Sequence, residues 1–182
     1  MEKDLDTMKF FVAGQGAYLP STQVKAILDY EANVTKNIFR RAEASNLVND
    51  VCSGHQKRRA LIWMDNNTYI LTDVAVDTIN RRVNDVGTRT IAIGRGFYIP
   101  VDHISGVFDF NSNCAAKLRK RSETMQDQFS FVRTPKQVKN SDKKTSNSVR
   151  ARKTTILLKS GENISVVYSP ETIINKTSKK EN

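Results

Sequence analysis

The chain has 182 residues, of which 38% are apolar and 8% aromatic. This is enough for one ordinary domain or two small ones, and it excludes a disordered tail. Twenty-nine Lys and Arg against nineteen Asp and Glu give a net charge of +10, which favours a polyanionic partner. The apolar runs are far shorter than the ~18 residues of a membrane span, no secretory signal is visible, and only two cysteines occur. For these three reasons we expect a cytoplasmic protein.

The first part of the chain predicts a succession of short strands and helices. The apolar stretch FFVA runs into a Gly14-x-Gly16 turn, and Pro20 keeps the following stretch extended before the strand VKAILDY. Asn33 is predicted to be a helix N-cap, and Ala60 to Met64 form an apolar run typical of a strand buried on both faces. A hairpin turn, another strand and a short helix complete the predicted order β-β-β-α-β-β-α.

The same order is predicted again in the second part of the chain. Gly94-x-Gly96 forms the turn, Asn113 the helix N-cap and Ser160-Gly161 the later hairpin turn. Ser169 followed by Pro170 predicts an N-cap and the first residue of a final helix. We therefore predict an α+β fold of two tandem small units, each a mostly antiparallel sheet with one or two short helices.

An internal repeat supports this division. At an offset of 80 residues, six of the 25 positions from Phe10 are identical, against roughly one in seventeen by chance. The identical pairs are Gly14/Gly94, Gly16/Gly96, Tyr18/Tyr98, Pro20/Pro100, Asp29/Asp109 and Asn33/Asn113. At an offset of 94 residues four more pairs follow, Ile62/Ile156, Ile70/Ile164, Thr78/Thr172 and Ile79/Ile173. We predict a first repeat at 8–84 and a second at 88–177, with tails at 1–7 and 178–182.

The net positive charge lies entirely in the second half of the chain, after Gly87. Up to Gly87 eleven basic residues balance eleven acidic ones, whereas eighteen basic and eight acidic residues follow. The segment 133–153 has eight Lys and Arg and one acid, and its composition predicts a mobile basic loop. A basic cluster also precedes the central strand of each repeat, where a sheet edge would hold it against a phosphate backbone. The predicted nucleic-acid-binding residues are Lys57, Arg58, Arg59, Arg95, Lys143, Lys144, Arg150, Arg152 and Lys153.

Other kinds of site are poorly supported. The Gly-x-Gly pairs lack the third glycine and the helix of a dinucleotide-binding turn, so a tight strand-to-strand turn is the better interpretation. Cys52 and His55 have the spacing of half a metal site, but the sequence offers no second pair. With two histidines and no nucleophile grouping, we expect neither an enzyme nor a metal ion, cofactor or small-molecule substrate.

Taken together, these motifs resemble the RemA/RemB family of bacterial extracellular-matrix regulatory proteins. IWMDNNTYIL followed by VDTI is similar to RemA, whereas AILDYEANV and GFYIPVDHISGVFDFNSN are similar to RemB. The resemblance implies a cytosolic duplex-DNA-binding protein that activates biofilm-matrix genes, needs no cofactor and assembles into closed rings. It places the family's DNA-contacting cluster on Lys57, Arg58 and Arg59 and, through the internal repeat, on Arg150, Arg152 and Lys153. A further family arginine falls on Gln23 and His103.

Three functions remain open from the sequence. The first is a duplex-DNA-binding transcriptional regulator that acts mainly through phosphate contacts. The second is an oligomeric adaptor of RemB type that does not bind DNA itself and whose basic loop meets an acidic protein or a membrane surface. The third is RNA binding through stacking on Tyr18, Phe97 and Tyr98, for which core packing is the favoured alternative.

Overall fold

The computed structural model describes residues 9–54, 56–125, 128–130 and 152–178, of which 122–125 and 128–130 are described by their backbone alone. The fold is α+β, as predicted. Two compact units divide the chain, unit 1 from Met1 to His103 and unit 2 from Ile104 to Asn182. No helix among the described residues is both long and apolar enough to cross a membrane.

Unit 1 contains eight strands and two α-helices among its described residues. In chain order these are β1 (Phe10–Gly14), β2 (Ala17–Pro20), β3 (Val24–Asp29), α1 (Asn33–Ala44), β4 (Val48–Asp50), β5 (Ala60–Met64), β6 (Tyr69–Thr72), α2 (Val76–Asp85), β7 (Thr90–Gly94) and β8 (Phe97–Pro100). Strands β1 and β2 form an antiparallel hairpin of their own, and the other six form one sheet in the order β4-β6-β5-β3-β8-β7.

The core of unit 1 lies where α2 packs on β1, β3 and β5. Ile27 and Ile62, which are opposite each other in the β3–β5 ladder, are buried with Ile79 and Val83 of the helix. All five residues of β5 are buried, which confirms the prediction of a central strand. Burial of this apolar surface at about 25 cal/mol per Å² makes β5 and β3 a stiff support for the residues that flank them.

Unit 2 contains four strands and two helices among its described residues. They are β9 (Ile104–Asp109), α3 (Asn113–Met125), β10 (Gln128–Ser130), β11 (Thr154–Leu158), β12 (Asn163–Val166) and α4 (Pro170–Ser178). The sheet order is β10-β12-β11-β9, in which only β10 and β12 are parallel. Helix α4 packs against β9, and Ile156, Ile164 and Ile173 are fully buried.

The same succession of elements occurs twice, and it includes a strand that the sequence did not predict. Each strand from β7 to β10 starts 80 residues after its counterpart from β1 to β4, and β11 and β12 start 94 residues after β5 and β6. The additional strands, β4 and β10, have three residues each and pair in parallel with β6 and β12. Such short strands carry no readable periodicity.

The turns and one helix start agree with the sequence, whereas two predicted caps are wrong. Gly16, Gly96 and Gly161 all have φ between 67° and 98°, as hairpin turns require, and the Ser169 hydroxyl accepts the Thr172 N–H ahead of Pro170. Asn33 and Asn113 are instead the first residues of α1 and α3.

The residues that actually occupy the two cap positions differ. Ala32 occupies the first without a side-chain bond. At the second, the Ser112 hydroxyl accepts the Ala115 N–H and leaves no such role for Asn113.

The first hairpin of the second repeat, β7–β8, lies in unit 1. Strand β8 pairs with β3, with Ile27 opposite Tyr98 and Leu28 opposite Phe97. The Asp29 N–H donates to the Gly96 carbonyl at 2.9 Å, which extends this ladder by one residue. The contact boundary after His103 therefore falls later than the junction of the two sequence repeats.

Candidate nucleic-acid interface

The predicted cluster of unit 1, Lys57, Arg58 and Arg59, lies at the start of the central strand. The Arg59 N–H donates to the Thr72 carbonyl at 2.8 Å, and the Arg59 carbonyl accepts the Tyr30 N–H at 3.1 Å. These bonds continue the ladders on both sides of β5, so the backbone is fixed while the three side chains are exposed. A rigid edge of this kind holds charge at low entropic cost.

Carboxylates accompany the cations of the unit 1 cluster. The Lys57 Nζ is 2.8 Å from Glu31, and a guanidinium nitrogen of Arg58 is 3.5 Å from Asp50. The hydrogen bond from Lys57 lowers the pKa of Glu31 below its usual value. Asp73 has a lowered pKa as well, chiefly because Ser53 donates to it, with the positive charge of Arg59 as a further cause. The local positive charge of unit 1 is therefore largely compensated.

Arg58 also rests on an aromatic pair. Its guanidinium lies 5.3 Å from the centre of the Phe39 ring, and Phe39 meets Tyr30 edge to face at 5.4 Å. Hydrogen bonding to Tyr30 raises the pKa of Arg58, so this side chain stays charged. The stack orients Arg58 but also occupies one face of the guanidinium.

The equivalent cluster of unit 2 is attached to its sheet in the same way. The Lys153 N–H donates to the Val166 carbonyl, and the Lys153 carbonyl accepts the Phe110 N–H, both at 2.9 Å. Arg152 lies 6.0 Å from the Phe110 ring, as Arg58 lies near Phe39. These bonds hold Arg152 and Lys153 at the start of β11.

Sequence reasoning missed a third cation at this place. Arg119 of α3 lies 3.8 Å from the Phe110 ring, and its Nη1 donates to the Phe110 carbonyl at 2.7 Å and to the Thr155 hydroxyl at 3.1 Å. Two guanidinium groups therefore lie within 6.0 Å of the Phe110 ring centre. The internal repeat could have identified Arg119, because it stands at the position of Phe39 in the first repeat. The same helix also contains Lys117, Lys120 and Arg121. We call Arg119, Arg152 and Lys153 the unit 2 cluster.

The two clusters differ most in their surroundings. At the repeat-equivalent positions of Glu31, Asp50 and Asp73, which lie beside the unit 1 cluster, unit 2 has Asn111, Ser130 and Val167. Within the part of unit 2 that the structure describes, no carboxylate forms an ion pair with Arg152 or Lys153. Among the described residues, Arg152 and Lys153 thus lack the carboxylate partners that Lys57 and Arg58 have in unit 1.

The remaining predicted binding residues are distributed over other places. Arg95 is exposed in the turn between β7 and β8 of unit 1. Lys143, Lys144 and Arg150 lie outside the described residues, as does most of the loop 133–153.

The two positions of the further family arginine also lie in unit 1. Gln23 lies in a 3-10 turn after β2. His103 is largely buried, with one ring nitrogen 3.4 Å from the Asp65 carboxylate and the other 3.3 Å from the Thr22 carbonyl oxygen.

The two cysteines occupy different environments. Cys52 is half-buried, and burial together with the nearby Asp50 raises the pKa of its thiol to about 12. Cys114 is exposed at the start of α3. His55 lies outside the described residues, and nowhere in the described ranges do three His, Cys, Asp or Glu side chains come together as metal ligands would.

Comparison with known proteins identifies the segment that carries the unit 1 cluster. Residues 10–83 match the model of the RemA-like family, described as extracellular matrix regulatory protein A-like. The match runs from β1 into α2 and includes Lys57, Arg58 and Arg59. No curated protein matches the chain. Residues 10–83 of this chain are therefore similar to the RemA-like family of extracellular matrix regulatory proteins.

Proposed function

We propose that this protein is a DNA-binding transcriptional regulator of extracellular-matrix genes, and that it holds duplex DNA mainly through phosphate contacts of the unit 2 cluster. The observation that carries the proposal is the difference between the two clusters. Both units retain cations at the start of the central strand, but the three acids beside them in unit 1 are Asn111, Ser130 and Val167 in unit 2. Arg152 and Lys153, which are held by a sheet and have no carboxylate at these equivalent positions, are suited to a polyanion.

The aromatic ring in the unit 2 cluster supports the same conclusion. The guanidinium groups of Arg119 and Arg152 lie 3.8 Å and 6.0 Å from the centre of the Phe110 ring. A phosphate bound beside this ring would accept charge-assisted hydrogen bonds from guanidinium groups of this kind. Arg is also the side chain whose planar group matches two phosphate oxygens at once.

The test is a salt series of duplex-DNA binding with charge-neutralising variants. With five phosphate contacts, the logarithm of the affinity falls with the logarithm of the salt concentration at a slope of about −4.5. Arg152→Gln with Lys153→Gln removes two contacts, so the slope becomes shallower by about 1.8 and the affinity at ~0.1 M salt falls about 60-fold. Lys57→Gln with Arg58→Gln is the control with the same change in charge, and it should lower the affinity for duplex DNA by less than about tenfold.

Two results would contradict the proposal. A salt response that is flat for the unchanged protein would exclude phosphate contacts as the source of affinity. Equal losses in the two double variants would show that the unit 2 cluster has no special role. Competition with single-stranded RNA in the same assay separates duplex binding from recognition by base stacking.

An adaptor function without direct DNA binding is the second candidate. It is favoured by the compensated charge of Lys57 and Arg58, and by Gln23 and His103 at the positions of a family arginine. The adaptor would assemble normally and ignore duplex DNA at ~150 mM salt, where long-range attraction is screened beyond about 8 Å.

A further inference from the structure

Helices α1 and α3 are equivalent in the two repeats, but the sheet surfaces that belong to them differ in chemistry. On the side of the unit 1 sheet opposite α2, strands β5 and β6 present two directly opposed apolar pairs, Leu61–Leu71 and Trp63–Tyr69. The equivalent pairs of unit 2 are Thr155–Ser165 and Leu157–Asn163. Three of the four positions are therefore polar in unit 2, and the four side chains together have about half as many non-hydrogen atoms.

Helix α3 is attached to this polar surface by hydrogen bonds. The Asn163 side chain donates to the Leu118 carbonyl at 3.3 Å, and the Arg119 Nη1 donates to the Thr155 hydroxyl at 3.1 Å. When a helix moves away from its sheet, bonds of this kind are replaced by bonds to water, whereas buried apolar surface has no such replacement. Helix α3 is therefore held less firmly than a helix on an apolar surface.

Burial between α3 and the sheet points the same way. Leu118 and Arg119 are half-buried, whereas Ile38 and Phe39 at the equivalent positions of α1 are buried. On strand β12 the Ser165 hydroxyl is fully buried and has no hydrogen-bond partner among the described residues. Such a hydroxyl gains hydrogen bonds to water when the layer opens, so it favours the open state.

We infer that α3 is a conformational switch: in the free protein it opens from the unit 2 sheet far more often than α1 opens from its own sheet, and a polyanion at the unit 2 cluster holds it closed. Opening takes Arg119 away, while Arg152 and Lys153 stay at the start of β11. The polyanion meets three cations in the closed state and two in the open one, so it shifts the population toward the closed state. This coupling rests on the proposed function, whereas the opening does not.

The size of the difference between the two helices follows from the buried apolar surface. Full burial of one Leu-sized side chain changes an equilibrium constant by about tenfold or more. Leu61, Tyr69 and Leu71 are all buried in unit 1, and each has a polar equivalent in unit 2. We therefore expect α3 to open at least about 100-fold more often than α1.

The first experiment measures amide hydrogen exchange of the full chain without any polyanion. Residues 117–124 of α3 should exchange at least about 100-fold faster than the equivalent residues 37–44 of α1. Ser165→Leu installs the residue that unit 1 has at this position, and it should slow the exchange of 117–124 about tenfold. Exchange of α4 should not change, because alternation along β12 places Ser165 on the face opposite Ile164, which is buried with Ile173 of α4.

Two smaller substitutions complete this experiment. Ser165→Ala removes the buried hydroxyl without adding volume, so it should slow the exchange of 117–124 a few-fold even if Ser165→Leu does not fold. Ser105→Ala is the matched control, because Ser105 is exposed on the neighbouring strand β9 and its hydroxyl already donates to the Leu157 carbonyl at 3.2 Å. This control should leave the exchange of α3 unchanged.

The second experiment repeats the measurement with inorganic polyphosphate at ~0.1 M salt. Closure adds one cation to the contact, so we expect exchange of 117–124 to slow about eightfold and exchange of 37–44 to stay the same. Arg152→Gln with Lys153→Gln should abolish the effect of polyphosphate, because the two cations that stay on the sheet are then lost.

The inference would be overturned by an α3 that exchanges as slowly as α1, or by Ser165 variants in which α3 exchanges as in the unchanged chain. An exchange rate of α3 that polyphosphate does not alter would overturn the coupling. Because neither experiment contains DNA, these failures leave the proposed function standing, and a flat salt response of duplex binding would leave the opening of α3 standing.

Discussion

Removing the acids beside the unit 1 cluster should convert it into a second phosphate-binding surface. Glu31→Asn installs the residue that unit 2 has at the equivalent position, and it releases Lys57 from a contact of 2.8 Å. Asp50→Asn releases Arg58 while keeping the oxygen that accepts the Cys52 N–H at 2.9 Å. Both acids lie at the surface, so the fold should survive the change.

The magnitude follows from the number of cations released. If Lys57 and Arg58 each gain one phosphate, the salt slope steepens by about 1.8 and the affinity for duplex DNA at ~0.1 M salt rises up to about 60-fold. If Arg58 remains stacked on Phe39, only Lys57 gains a phosphate contact. The affinity then rises only about eightfold, which is the contribution of one cation. The gain in affinity should vanish toward 1 M salt, where the Debye length is only about 3 Å and charges farther apart than this are screened from each other.

The assay is equilibrium binding of a labelled duplex across a salt series. Glu43→Gln with Asp102→Asn is the matched control, since both residues are exposed in unit 1 and the net charge changes by the same amount. If the control gains as much affinity as Glu31→Asn with Asp50→Asn, the gain reflects net charge and the local pairing argument is refuted. An unchanged salt slope would refute it as well.

Two further predictions follow from other parts of the molecule. Burial and Asp50 raise the pKa of Cys52 to about 12, so a thiol reagent at pH 8 should modify the exposed Cys114 first. The stability that neutral Cys52 provides should be lost as the pH rises from about 9 to 12. Alkaline unfolding of Cys52→Ser, compared with that of the unchanged chain, measures this loss. Gly96→Ala should lower the free energy of unfolding by about 1–3 kcal/mol more than Gly54→Ala does. Both glycines have a positive φ, but only at Gly96 would a Cβ lie 2.7 Å from Asp29. Equal melting temperatures of the two variants would contradict this prediction.

Local patterns in the sequence were enough to predict much of the fold. The α+β class, the buried strand Ala60 to Met64 and the Ser169-Pro170 helix start depend on neighbouring residues only, and all three are present. The glycine turns follow from the backbone freedom of that residue. The helix caps at Asn33 and Asn113 were placed one residue too far along the chain, because a sequence pattern fixes a helix boundary only to within one or two residues.

The candidate site was only partly accessible to the same reasoning. The basic clusters before β5 and β11 could be read from the sequence, because the charges are contiguous. Their surroundings could not, since Glu31 reaches Lys57 across 26 positions and Arg119 meets Phe110 from a separate helix. Which cations have a carboxylate beside them is a property of packing between elements.

The sequence by itself determined that one succession of strands and helices occurs twice and that the net charge lies in the second half of the chain, because propensity, turn chemistry and composition are local properties. Only the tertiary structure decided where the hairpin β7–β8 goes, since strand pairing joins β8 to β3 over some 70 residues of intervening chain and no local pattern specifies the partner. That pairing is also what leaves the edge of β9 open within the described residues.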